Sequence, residues 1–113
     1  MKQVFDVPGR GDVVLLSFPA GPGRKRAGRR PAVVLSPQAY NGRVGLALFC
    51  PVVTDVKGYP FEVPLPEGLP VQGAVLADQA DSLDWRALRA ERICALPGPV
   101  VDEVLGKLAA LVS

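Results

Sequence analysis

Twelve glycines and twelve prolines, about a fifth of a 113-residue chain, cut its apolar residues into short runs. Long helices do not survive such punctuation. Proline removes a backbone donor and clashes with the preceding turn, and glycine raises the entropic cost of order. The apolar runs between these breakers therefore read as short strands joined by turns. One region escapes. Val101, Val104, Leu105, Leu108, Leu111 and Val112 recur at helical spacing after Pro99, which suits a first helical turn. Asp102 and Glu103 are read into that first turn, where the helix dipole favours anions. The expected order is five or six strands, then one amphipathic C-terminal helix packed on a small, strongly bent sheet or barrel. At 11.9 kDa the chain buries roughly two thirds of its unfolded surface, enough for one core. Residues 1–113 are therefore read as a single domain.

The strands follow from the pattern. Val13 to Phe18 is apolar on both faces and should be central. Pro31 to Pro37 is a second strand bounded by prolines, which do not extend a central ladder. Tyr40-Asn41-Gly42-Arg43 predicts a hairpin turn from its Asn-Gly pair. Gly45 to Val53 is a third strand, with a bend or bulge expected at Pro51. Phe61 to Leu65, Gly73 to Ala77 and Arg92 to Leu96 complete the set. Ser82 is placed to cap a helical turn through Leu83, Trp85 and Arg86. Trp85 reads as packing rather than as a base-stacking surface.

Several functions are excluded by what is absent. The chain has no histidine, so histidine acid–base catalysis and histidine metal sites fall away. Its two cysteines, Cys50 and Cys94, lie in apolar runs and read as small buried hydrophobes. No phosphate-cradling glycine loop and no nucleophilic serine elbow is present. Asp78, Asp81 and Asp84 are spaced by three, but across a strand end, a turn and a helix start, which implies no convergence. Neither a metal nor a cofactor is expected. The apolar run from Val44 to Val53 is too short to cross a bilayer, and the N-terminus lacks the apolar stretch of a signal peptide. A cytoplasmic protein without a membrane partner is expected.

Charge is unevenly distributed. Residues 1–60 carry nine Lys/Arg and three Asp; residues 61–113 carry four Lys/Arg and eight Asp/Glu. The excess is concentrated in Arg24-Lys25-Arg26-Ala27-Gly28-Arg29-Arg30, which follows Pro19-Ala20-Gly21-Pro22-Gly23 and reads as a surface loop. A polyanion is the natural partner of such a run, RNA or an acidic protein segment alike. RNA also brings its own nucleophile, the 2′-hydroxyl beside each phosphate. A protein then has to align the strand and stabilise the phosphorane. Arginine suits the second task through its planar, permanently charged fork.

Four stretches occur in order: Gly11-Asp12-Val13-Val14, Ala27-Gly28-Arg29-Arg30-Pro31-Ala32-Val33-Val34-Leu35-Ser36-Pro37, Lys57-Gly58-Tyr59-Pro60-Phe61-Glu62-Val63 and Leu76-Ala77-Asp78-Gln79. Together they resemble the MazF/PemK family of toxins from bacterial toxin–antitoxin pairs, over roughly residues 8–112. The resemblance implies a mainly β fold, an SH3-like small barrel of five to seven strands with a C-terminal α-helix. It implies a homodimer that cleaves single-stranded RNA, sequence-specifically and without metal, leaving a 2′,3′-cyclic phosphate and a 5′-hydroxyl. It further implies a cognate MazE-like antitoxin whose acidic tail occupies the RNA groove.

Carried over residue by residue, the family's catalytic arginine is Arg30, immediately before Pro31. Its catalytic threonine falls two residues after a proline, which is Val53 in Pro51-Val52-Val53-Thr54. Thr54 is the neighbouring hydroxyl and the catalytic candidate. A one-residue shift along a regular strand reverses the face, and a bulge near Pro51 would restore it. Many relatives have serine and glutamate where this chain has Arg24 and Lys25, a change that strengthens backbone binding and alters the groove. Arg24, Lys25, Arg26, Arg29 and Lys57 are read as phosphate contacts. Asp78 and Gln79 are read as contacts to base edges, against a purely structural turn. Two other readings keep the fold: a barrel toxin that poisons a topoisomerase by binding, and an RNA-binding regulator that has lost cleavage through Val53.

Overall fold

The computed structural model describes residues 6–20 and 28–113. The strands are β1 (Asp12–Phe18), β2 (Gly28–Val34), β3 (Leu46–Val53), β4 (Glu62–Pro64), β5 (Ala74–Leu76), β6 (Asp81–Asp84) and β7 (Glu91–Ala95). Helix α1 (Gln38–Val44) joins β2 to β3, and α2 (Gly98–Val112) ends the chain. The strands form a seven-stranded sheet in the order β4-β5-β3-β2-β1-β7, with β6 also on β3. All the pairings are antiparallel, and the sheet curls into a half-barrel.

The central strands are apolar on both faces because both faces are covered. Val13, Val33, Leu35, Cys50 and Val52 pack with Val63, Val75 and the α2 residues Val101 and Val104. Their strand neighbours Val14, Leu16, Ala32, Val34, Ala47 and Phe49 pack on the opposite side around Trp85. Trp85 is only 1% exposed, in keeping with the packing role read from sequence. The amphipathic C-terminal helix is present. It begins at Gly98, however, and its first turn holds no acid. Pro97 and Pro99 open the helix early enough to leave Asp102 and Glu103 beyond that turn.

The Asn-Gly hairpin expected at residues 40–43 is instead α1. Asn41 is fully buried. Its amide donates to the carbonyls of Pro8 (2.7 Å) and Ser36 (3.0 Å), and its Oδ1 accepts from Ser36 Oγ at 2.5 Å. Its backbone carbonyl accepts the Trp85 indole N–H at 2.9 Å. Tertiary satisfaction of this one amide outweighs the local turn preference. Gly45, at φ 84°, closes the helix in the left-handed region that glycine tolerates.

Residues 81–84 are a strand rather than the start of a helical turn. They pair with β3, from Leu46↔Asp84 to Phe49↔Asp81, and do not form a turn capped by Ser82. The turn starts at Asp84, whose carboxylate accepts the backbone N–H groups of Arg86 (3.1 Å) and Ala87 (3.0 Å). The bulge considered at Pro51 is absent. The β2–β3 register runs evenly through Val34↔Phe49, Val33↔Cys50 and Ala32↔Pro51, with no bulge. Leu35 N–H donates to the Leu48 carbonyl, so by alternation Leu48 and Cys50 face β2 and Pro51 faces the other edge. That edge carries β6 as far as Phe49 and β5 from Val52 onward. Proline's missing donor thus falls in the gap between two partners.

Candidate nucleic-acid site

Arg30 lies within β2, across from Leu16, rather than on the loop that precedes it. Its position two residues before Ala32 puts it on the Trp85 side of the sheet. There it borders an open groove of about 300 Å³ with Leu16, Phe18, Phe49 and Pro51 as an apolar floor and Gln79 and Asp81 as polar neighbours. The side chain is exposed and has no ion pair among the described residues. Arg29, one residue earlier, faces the other side and is paired with Glu91 on β7. The two arginines therefore have different surroundings despite their adjacency. Arg24, Lys25 and Arg26 lie outside the described residues.

The Ala32↔Pro51 pair, continued by two residues in the same register, sets Val53 across from Arg30 on the Arg30 face. Thr54 follows the end of β3 as an exposed bend, where strand alternation no longer dictates direction. Gly73 backs this peptide closely. A Cβ there would come within 1.9 Å of the Val53 carbonyl oxygen, and its φ is +122°. No residue but glycine fits without moving Val53 and Thr54.

Lys57 sits on an exposed turn held by Glu62, a role the sequence reading did not assign. The Glu62 carboxylate accepts the backbone N–H groups of Lys57 (3.0 and 3.1 Å) and Gly58 (2.7 Å). Glu62 is only 5% exposed. The signal was available in the five-residue step from Lys57 to Glu62, which matches a carboxylate reaching back over a tight turn. These N–H donors, Lys57's foremost, hold the Glu62 carboxyl below its ordinary range against the opposing effect of burial. A group with a depressed folded-state pKa contributes stability above its unfolded value and loses it as pH falls through the folded one. Glu62→Gln is therefore expected to lower the melting temperature at pH 7. The gap from the parent should narrow below about pH 4, as thermal melts across pH will show.

Asp78 and Gln79 are both exposed after β5, but only Gln79 borders the Arg30 groove. The Gln79 N–H donates to the Leu76 carbonyl at 3.2 Å, which fixes the turn. Arg30 and Gln79 thus converge on one groove; Thr54, Lys57 and Asp78 do not line it. Phe18, Phe49 and Asp81 were missed as groove residues because only the fold brings them together. Cys50 is buried with its thiol pushed up to about 11 by burial and then by Asp78, a poor nucleophile near neutral pH.

The family model for the PemK-like, MazF-like toxin of type II toxin–antitoxin systems matches residues 9–112. The chain belongs to this family. It is 43% identical over 107 residues to the endoribonuclease toxin MazF of Escherichia coli (strain K12), covering 95% of this chain and 92% of that protein. It is 39% identical to the endoribonuclease toxin ChpB of the same organism, over 91% of this chain and 92% of the relative. A crystal structure of MazE–MazF from Deinococcus radiodurans superimposes with a TM-score of 0.91 at 53% identity, covering 96% of this chain and 97% of that one. The curled sheet with a C-terminal helix is the MazF fold, and the chain is a homologue of endoribonucleases. Among the described residues, no helix is long and apolar enough to cross a membrane.

Proposed function

We propose that this toxin cleaves single-stranded RNA by attack of the substrate's 2′-hydroxyl on the adjacent phosphate, without metal. The P–O2′ bond forms and the P–O5′ bond breaks. The 2′-hydroxyl proton leaves to solvent and the 5′-oxygen takes up a proton, leaving a 2′,3′-cyclic phosphate and a 5′-hydroxyl. Arg30 binds the phosphorane oxygens through its fork, and the Thr54 hydroxyl donates to a further oxygen. Gln79 and Asp78 read base edges, while Arg24, Lys25, Arg26 and Lys57 hold the backbone; Arg29, turned to the other face, is held by Glu91. The observation that carries this reading is Arg30, free of any ion pair among the described residues, over an aromatic-floored groove in a homologue of MazF. Labelled single-stranded RNA in EDTA tests it. Products with cyclic phosphate ends are expected; absence of cleavage, or cleavage only with added metal, defeats it.

The same reading includes a homodimer and an acidic antitoxin segment that occupies the RNA groove. Val56, Tyr59 and Phe61 are 49%, 59% and 37% exposed along one stretch of chain, surface that a second copy would cover. Sedimentation at micromolar concentration is expected to give a dimer; a monomer alone counts against it.

A further inference from the structure

We propose that a second groove, on the far side of the β6–β7 connection from Arg30, binds RNA phosphates and extends the strand's track beyond the cleavage site. This rests on the ribonuclease reading above.

The topology makes two grooves of one face. β6 pairs with the far edge of β3, whereas β7 pairs with the outer edge of β1. The connection between them must cross the sheet, and it packs Trp85 and Leu88 onto Val14, Leu16 and Phe49 as it does so. On one side of this strap lies the Arg30 groove, with Leu16 in its floor. On the other lies a groove of about 1270 Å³ with Val14 in its floor. Those two floor residues are about 7 Å apart along β1, so a strand leaving one groove reaches the other by passing over the strap.

The second groove and its strap are arginine-rich. Arg43 comes from α1, and Arg86, Arg89 and Arg92 come from the strap and β7. Arg92 is taken by Asp12 at 3.2 Å, and Glu91, a second lining acid, is drawn to Arg29. Arg43, Arg86 and Arg89 have no ion pair among the described residues; Asp6 is the remaining acid in the groove. Arg86 lies over the buried Trp85 ring, 4.9 Å from its centroid, which holds its guanidinium in place. Arg89 has φ 52°, the sole non-glycine in the left-handed region among the described residues. A long cationic side chain there is a costly choice for a turn, since glycine or asparagine would fit without it. The strap is closed by its own backbone hydrogen bonds, with Ala90 N–H to the Trp85 carbonyl at 2.9 Å and Leu88 N–H to the Asp84 carbonyl at 3.1 Å. One held fork at Arg86, with Arg43 and Arg89 lining the same groove without an ion pair among the described residues, suits a repeating phosphate chain.

The test compares the shortest RNA the protein cuts with the same RNA extended by about a dozen nucleotides, both blocked by a 2′-deoxy nucleotide at the scissile position for binding. The parent is expected to bind the extended RNA at least about tenfold more tightly. Arg43→Ala with Arg89→Gly should remove most of that gain and make the salt dependence shallower by about 1.4 in log–log slope. Cleavage of the short RNA should stay within about twofold of the parent. Arg89→Gly relieves the backbone and should raise the melting temperature, so its loss of binding is not loss of fold. Equal binding of both lengths, with the short RNA still cut, overturns the groove alone. Variants that keep the length advantage but lose an acidic peptide overturn it in favour of a protein partner. A parent that neither binds nor cuts RNA overturns this proposal and the ribonuclease reading together.

Discussion

Arg30→Ala is expected to slow RNA cleavage by about 10²–10³-fold, some 3–4 kcal/mol of transition-state stabilisation, the scale of losing one preorganised donor. The chain has no histidine, so no imidazolium can share the charge that builds on the phosphorane. Arg29 does not substitute, because it is turned to the other face and held by Glu91. The Arg30 side chain is exposed and unpaired among the described residues, so its removal should shift stability by no more than about 0.5 kcal/mol. Arg30→Lys should recover only part of the rate, since a point charge replaces the bidentate fork. Single-turnover cleavage with a parallel thermal melt decides the matter. A folded Arg30→Ala protein that cuts at near-parent rate removes Arg30 from the reaction.

The central strands and α2 were legible because their cores are simple periodic patterns. Val13 and Val14 face opposite sides and both are buried, and Val101 and Val104 follow one helical stripe. α1 was not legible. Asn41 and Gly42 carry a strong local turn signal, and only the distant Pro8, Ser36 and Trp85 make a helix the better solution. The same applies to residues 81–84, where pairing with β3 overrides the capping potential of Ser82. At the site, Arg30 and Gln79 were named through the family motifs, and the fold brings both to one groove. Phe18, Phe49 and Asp81 complete that groove from three other segments, and no spacing along the chain relates them. Glu62 was visible as a letter of the Lys57–Val63 motif, but its work on the Lys57 and Gly58 N–H groups belongs to the folded turn.

Thr54→Val is expected to slow cleavage about 10–100-fold, the range of a hydrogen bond to a charged oxygen at about 1.4 kcal/mol per tenfold. Arg30 alone leaves phosphorane oxygens without a donor, and Thr54 is the hydroxyl that follows β3 directly. The even β2–β3 register removes a bulge as the means of re-aiming the strand. What remains is the strand end itself: β3 stops at Val53, and Gly73 presses on the Val53 carbonyl just as the chain bends. Val53→Thr, which places a hydroxyl on the Arg30 face, should leave the rate within about twofold if Thr54 already fills that role. A rise of tenfold or more in Val53→Thr, with Thr54→Val silent, would assign the hydroxyl to position 53 and make the natural chain a weakened member of its family. If the parent binds RNA without cutting it and Val53→Thr restores cleavage, the natural protein is the RNA-binding regulator instead. The parent, both variants and one RNA, assayed for binding and for cleavage, separate these outcomes.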